Sequence, residues 1–371
     1  MNIYLTHYRT ASTQQIEKLD DIVYPQYVHW FPETYDRAKS GMFYVPHRLA
    51  DKVLDQELIK NIRESKIGKT AFILASGNAH FAGINQRPYP DNQLSYVYRF
   101  LPFTLTQVYA GRTGQMFGEL DMITTDASAC ASSLKVMMEV QNLIRHYDFD
   151  RVIVLTVEDS ITNTVLEFFG ESKAVLTAKQ EDEGIKPSAF DSKNFGFRIG
   201  QGAALAVFES EKAVERLGIT PEAMMLGAYS ASEASTNAIG QLEDGSGYVK
   251  AMHGAMLQAR VNQSDIGIVK THGTGTASNN EAEKTALTKN LTNFIATSYK
   301  QKIGHTMGAS GLLETLLLLD DIKKGIVPAI ENRTENDPVF LSENVEPPKG
   351  LILSLAAGMG NIYSAAIFKG M

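Results

Sequence analysis

The chain holds one cysteine, Cys130, and one tryptophan. A single cysteine excludes an internal disulfide and any zinc site built on cysteine pairs. Positive charge is in the minority, with 35 Lys and Arg against 42 Asp and Glu and a net charge of −7. A general nucleic-acid binder needs a basic surface to displace counterions, so that class is excluded, although a local basic patch for an acidic partner is not. Long apolar runs are also missing. The most apolar stretch, LLETLLLLDDI, is interrupted by Glu314 and reaches Asp320 too soon to span a bilayer, so no membrane span is expected. The N-terminus, MNIYLTHYRTAS, has no basic stretch followed by an apolar core, which leaves a cytoplasmic location as the expectation. Low-complexity segments are absent, and direct comparison of the two halves reveals no repeat.

What remains is an ordinary globular composition, 44% hydrophobic and 21% charged over 371 residues. That length fits two domains or one large duplicated α/β unit. Continuous apolar runs at MNIYL, 69–76, 151–157, 202–208 and 265–271 read as strands of a sheet covered on both faces. Helical periodicity follows in ASSLKVMMEVQNLIRHY, where Leu134, Met137, Met138, Val140 and Leu143 share a face. It returns in GYVKAMHGAMLQARV and GASGLLETLLLLDDIKKG, and the alternation implies α/β layering. The C-terminal GLILSLAAGMGNIYSAAIFKG reads as two strands joined by a Gly-rich turn. Residues 77–115 and 173–195 read as irregular, polar excursions. The charged stretch 209–225 suggests a boundary near 222, giving halves 1–222 and 223–371.

Three small-residue segments carry the candidate chemistry: TTDASACASSL, THGTGT and KQKIGHTMGASG. Cys130 stands where a strand gives way to a helix, close to free backbone N–H groups and the positive end of the helix dipole, and both favour the reactive thiolate. Taken alone it reads equally as a packing cysteine. His272 and His305 sit in glycine-containing turns from which an imidazole can project into a cleft. Each alone reads as a structural hydrogen-bonder, and neither has the spacing of a metal motif. Lys300 alone would be a solvated lysine at a strand end. Glu283 and Glu314 alone would be surface carboxylates; near a cleft, either can pair with Lys300.

Taken in order, these segments resemble the β-ketoacyl synthases of the thiolase superfamily. SACASS resembles the family's cysteine turn. HGTGT and K-x-x-x-G-H-x-x-G-A-x-G resemble its two histidine motifs, with Glu314 nine residues after His305. FDSKNFGFRIGQGAALAVFE resembles the segment closing the first half, so the likeness runs from about residue 115 to 368. It implies a thiolase-like fold of two similar α/β halves in five layers, α-β-α-β-α. It implies an acyltransferase that condenses a Cys130-bound acyl group with a malonyl thioester, with loss of CO2. His272 and His305 would stabilise the enolate, Lys300 with Glu283 or Glu314 would orient it, and the amides of Cys130 and Met359 would bind the oxyanion. No cofactor beyond the phosphopantetheine arm of an acyl carrier protein is implied. The partners would be that carrier and a second subunit, identical or homologous, met through the Tyr-rich 90–120 region. Met359 stands where the family usually has phenylalanine, Asn280 where aspartate is common, Gln201 in place of glutamate and Asn361 in place of glycine. These departures suggest a specialised polyketide, aryl-polyene or divergent fatty-acid synthase. The same residues also suit a malonyl-carrier decarboxylase or initiating acyltransferase, or a non-catalytic chain-length-factor-like subunit.

Overall fold

A computed structural model of the chain describes residues 1–20, 22–31, 49–65, 67–77, 106–161, 163–235, 237 and 239–371. Ten strands make the main sheet system. Five come from the first half: β1 (Ile3–Ala11), β2 (Lys69–Ala75), β3 (Met122–Asp126), β4 (Phe149–Glu158) and β5 (Gly202–Ser210). Five come from the second: β6 (Ala223–Ser232), β7 (Ile266–Lys270), β8 (Ile295–Thr297), β9 (Leu351–Gly358) and β10 (Ile362–Gly370). The first half is ordered β3-β2-β4-β5-β1 and the second β8-β7-β9-β10-β6. Each strand thus has a counterpart five strands later. Directions repeat too: β2 is parallel to β3 and β4, and β5 is antiparallel to β4 and β1, as β7 is to β8 and β9, and β10 to β9 and β6. The repeat that direct sequence comparison missed is therefore present in the topology. The halves meet edge to edge only over Ile3–Leu5 and Ala223–Met225.

Strand side chains alternate between two cores, as the period of two requires. Ala71, Ile73, Val152, Val154, Ala204 and Ala206 face a central core. Phe72, Leu74, Ile153, Leu155, Leu205 and Val207 face an outer one. Both cores are apolar, which is why these strands read as unbroken apolar runs. The outer core is capped by helices α1 (Gln56–Glu64) and α2 (Thr106–Gly114). The central core holds α3 (Ser132–His146) and, further along the chain, α6 (Ser310–Lys323). In the second half α4 (Ser246–Ala259) and α5 (Ala277–Asn290) cover the far face. The order helix, sheet, helix pair, sheet, helix makes five layers. Helix α6 is buried nearly all round, so LLETLLLLDDI is a core helix.

Some expectations need correcting. Residues 106–114 form a helix rather than irregular structure, while most of the rest of 77–115, and with it much of the proposed 90–120 partner surface, lies outside the described residues. The 173–195 excursion contains a short capped helix, Ala178–Asp182. The charged stretch after β5 is also helical, Glu211–Leu217, closed by Gly218 in the left-handed conformation. No helix of the described residues is long and apolar enough to cross a membrane.

Candidate active site

The cysteine turn and the second histidine turn are counterparts in the duplicated fold. After β3 a 3-10 turn, Ala129–Ala131, leads into α3; after β8 another, Met307–Ala309, leads into α6. Both turns begin at a non-glycine residue with positive φ, 48° at Ala129 and 40° at Met307. Such a backbone is costly and is held only by firm surroundings. Those surroundings are visible. Glu158 Oε2, at the end of β4, accepts from Gly77 N at 2.7 Å and Gly308 N at 3.1 Å. A Cβ on Gly308 would lie 2.1 Å from Gly77 N, so only glycine lets the turns approach this closely. Cys130 is 7% exposed and packs with Val28, Trp30, Phe197 and Met307. Its Sγ lies 3.9 Å from Met307 Sδ. Met359, partly buried, belongs to the same cluster, and Gly358 brings its turn against Ser128 O and Ala131 N.

His272 follows β7 and is 3% exposed. Its turn is clamped from α5: Glu283 accepts from His272 N at 2.6 Å and from Gly273 N at 2.9 Å. Asn279 extends the clamp, accepting from Thr274 N at 2.8 Å and donating to Tyr248 Oη at 2.7 Å. The backbone of His305 is pinned by residues 198–200, donating to Arg198 O at 2.7 Å and accepting from Gly200 N at 3.1 Å. Its ring stands edge-on to Phe197, and Nδ1 lies 2.9 Å from Ser310 Oγ at the start of α6. A hydroxyl donating to Nδ1 leaves the ring proton on Nε2. The two imidazoles, from separate turns, meet edge to face with centroids 5.7 Å apart. Nδ1 of His272 is buried without a hydrogen-bond partner.

Lys300 is not the solvated lysine that its type suggests. It sits on a one-turn helix, Lys300–Ile303, fully buried, with Nζ 2.9 and 3.1 Å from the carboxylate oxygens of Glu314. Glu314 is the partner of Lys300, and Glu283 instead holds the His272 backbone. A second buried lysine, Lys270, also reaches Glu314, at 3.3 Å, and donates to Leu355 O at 2.7 Å. Sequence reasoning missed it. The available signal was a lysine ending the apolar strand IGIVK, two residues before His272.

Electrostatics follow from burial. Desolvation, reinforced by Lys300 and Lys270, pushes both imidazoles well below their ordinary value, so they are neutral near pH 7. Desolvation pushes the Cys130 thiol up to about 12, against the opposing pull of Lys300. The resting group is therefore the thiol, and the thiolate expected from the helix terminus does not prevail. Burial also raises Glu283.

The departures from the family pattern are accommodated by hydrogen bonds. Asn280 Oδ1 accepts from Phe190 N at 3.1 Å. Gln201 donates to the buried Asp159 at 2.8 Å and accepts from Phe31 N at 2.9 Å. A glutamate there would set two buried carboxyls together. Asn361 holds φ at 61°, a conformation asparagine tolerates better than most residues. Among the described residues no cluster of three or more His, Cys, Asp or Glu side chains fits a metal ion.

Comparison with known proteins identifies the family and the fold. The chain matches the β-ketoacyl synthase N-terminal domain over residues 48–213 and the C-terminal domain over 222–334. It is 29% identical over 254 residues to the tetracenomycin polyketide synthase ketoacyl synthase alpha subunit of Streptomyces glaucescens, a match spanning 66% of this chain and 59% of that one. It is 28% identical over 285 residues to 3-oxoacyl-[acyl-carrier-protein] synthase 2 of Vibrio cholerae, spanning 73% and 68%. The fold superposes on a type II polyketide ketosynthase, bound to a hexaketide and in complex with its acyl-carrier protein, with TM-score 0.85, 18% identity and coverage of 100% and 99%. It also superposes on the ishigamide ketosynthase/chain length factor with TM-score 0.77, 16% identity and the same coverage. With both domains matched in order on a thiolase-like fold, the chain belongs to the β-ketoacyl synthase family.

Proposed function

We propose that this chain is a β-ketoacyl synthase that joins a Cys130-bound acyl group to a malonyl thioester delivered by an acyl carrier protein. The supporting observation is the pair of buried, neutral imidazoles facing each other at 5.7 Å. In the first step the thiol of Cys130 loses its proton and its sulfur attacks the acyl thioester carbon. The carbon–sulfur bond to the carrier breaks, and the carrier thiol leaves with a proton. The N–H groups of Cys130 and Met359 are assigned to the oxyanion. In the second step the malonyl carbon–carboxylate bond breaks and CO2 leaves. Its electron pair forms an enolate whose oxygen receives hydrogen bonds from His272 and His305. The enolate carbon attacks the acyl group, and the Cys130 carbon–sulfur bond breaks to return the thiolate. Neutral rings suit this chemistry, because decarboxylation supplies the carbanion and donors suffice where a strong base would otherwise be needed. Lys300, fixed by Glu314, and the Glu283 clamp hold these donors in place. We place the division between the halves at 222/223, with the thiol in one and both imidazoles in the other. The partners would be the carrier and a second identical or homologous subunit.

Incubation with an acyl thioester, followed by intact-mass measurement, tests the first step. The chain should gain one acyl group on Cys130, and Cys130→Ala should gain none. An acyl group retained by Cys130→Ala removes Cys130 from the mechanism. Addition of a malonyl thioester to the acylated chain should then release a ketoacyl product. Acetyl thioester alone would favour the decarboxylase reading, which needs the two imidazoles but no acylated thiol.

A further inference from the structure

The condensation steps make no use of Glu158, the fully buried last residue of β4. Three donors converge on its Oε2: Gly77 N at 2.7 Å, Gly308 N at 3.1 Å and Ser76 Oγ at 3.4 Å. From this one oxygen, contacts run two ways to the thiol. One way leads through Gly77 to Ala129, the residue before Cys130. A Cβ added to Gly77 would lie 2.9 Å from Ala129 O and 3.2 Å from its Cα. The other way leads through Gly308 to Met307, whose Sδ lies 3.9 Å from Cys130 Sγ. The ring so closed contains the two positive-φ residues that open the cysteine turn and the turn after His305. Strained turns persist only where their surroundings over-determine them. A carboxylate accepting backbone N–H groups is among the stronger ties available, because the bonds are charge-assisted. The duplicated fold sets Gly358, at the end of β9, opposite Glu158: each pairs with the first residue of the next strand in its own half. Each also reaches the other half's turn, Glu158 at Gly308 and Gly358 at Ser128 O and Ala131 N. Only Glu158 does so with a side chain.

We propose that Glu158 is a positioning residue of the condensing site: one carboxylate oxygen ties the turn bearing Cys130 to the turn after His305, so that thiol and imidazole keep one fixed relation through both steps. The inference rests on the synthase reading given above. Glu158 acts through Gly77 and Gly308 and touches no reacting atom. Acyl transfer needs the Cys130 amide and sulfur in place, and enolate stabilisation needs His305 in place. A misplacement of about 1 Å is enough to cost about 10²-fold. A tie that serves both turns therefore slows both steps when it is cut. Glu283, which holds the His272 turn, bears on the second step alone.

The test compares the full-length wild type with two variants. Glu158→Gln keeps the side-chain length and one acceptor oxygen but loses the charge; Glu158→Met loses both acceptor and charge. Acylation by hexanoyl-pantetheine is followed by intact mass, and CO2 release from malonyl-pantetheine is followed on the same samples, each over a range of thioester concentrations. Both limiting rates should fall by about 10–100-fold in Glu158→Met and by less in Glu158→Gln, with the half-saturating concentrations little changed. Preservation of both rates, or loss of only one, overturns the proposal. So does a loss no larger than the unfolded fraction, which would make Glu158 a stabiliser of the fold and nothing more. Glu158→Gln decides alone if Glu158→Met does not fold. Hydrogen exchange at 15N-labelled glycine gives a readout that needs no turnover. The amides of Gly77 and Gly308 should be protected in the wild type and should lose protection together in the variants; separate behaviour overturns the tie. A wild type that accepts neither thioester, with the two amides coupled in this way, would sink the synthase reading and leave the tie between the turns standing.

Discussion

At the scale of single residues, this site is arranged by burial more than by proximity. Desolvation is the largest cause of shift for Cys130, His272, His305, Lys270 and Glu283. The sequence made the identity of the thiol and imidazoles plain because small residues flank each. It said nothing of Lys270, since a lysine in a strand is ordinarily an edge or surface residue. It also misjudged Lys300, which is fully buried and paired with Glu314 of α6. The sharing of Glu314 has a measurable consequence. Glu314→Gln leaves two buried ammonium groups without their common carboxylate, whereas Lys300→Met leaves Glu314 still paired with Lys270. Breaking a buried pair costs about 3–5 kcal/mol. Glu314→Gln should reach that range in urea denaturation, and Lys300→Met should fall below it. Equal losses would mean that Lys270 does not neutralise Glu314.

At the scale of elements, apolar runs revealed the strands because sheets with cores on both faces leave no polar alternation. Boundaries shifted by a few residues: the run read at 151–157 belongs to Phe149–Glu158. The duplication was invisible because corresponding strands share topology without sharing residues; Cys130 in one half answers to Gly308 in the other. That correspondence rests on glycine. Gly308→Ala would drive a methyl into Gly77 N and Glu158, neither of which can retreat without opening the turn. A loss of about 1–3 kcal/mol is expected, the usual range for overpacking. Gly111→Ala is the matched control: it lies inside α2 with nothing within 4 Å of the added carbon. It should gain up to about 1 kcal/mol from helix propensity. Thermal unfolding of the two variants checks both signs, and a stable Gly308→Ala would refute the tight contact.

At the scale of the molecule, the fold brings together three segments that lie apart in the sequence and come from both halves. The first half supplies the thiol at the β3–α3 turn, and the second supplies the imidazoles after β7 and before α6. The order of four short motifs disclosed this assembly, because three of them carry the cysteine and the two histidines. The first hundred residues disclosed β1 and β2 but no part of the candidate site, as their chemistry-bearing residues form no such motif. The proposed division of labour between halves can be separated experimentally: on that reading, stabilising an enolate needs the imidazoles, while holding the acyl group needs the sulfur. The direct measurement is release of CO2 from a malonyl thioester by Cys130→Ala, His272→Ala and His305→Ala. The account predicts that Cys130→Ala still decarboxylates while forming no condensation product, and that each histidine variant loses about 10²–10³-fold, the usual effect of removing one oxyanion donor. Decarboxylation abolished in Cys130→Ala, or preserved in both histidine variants, would contradict it.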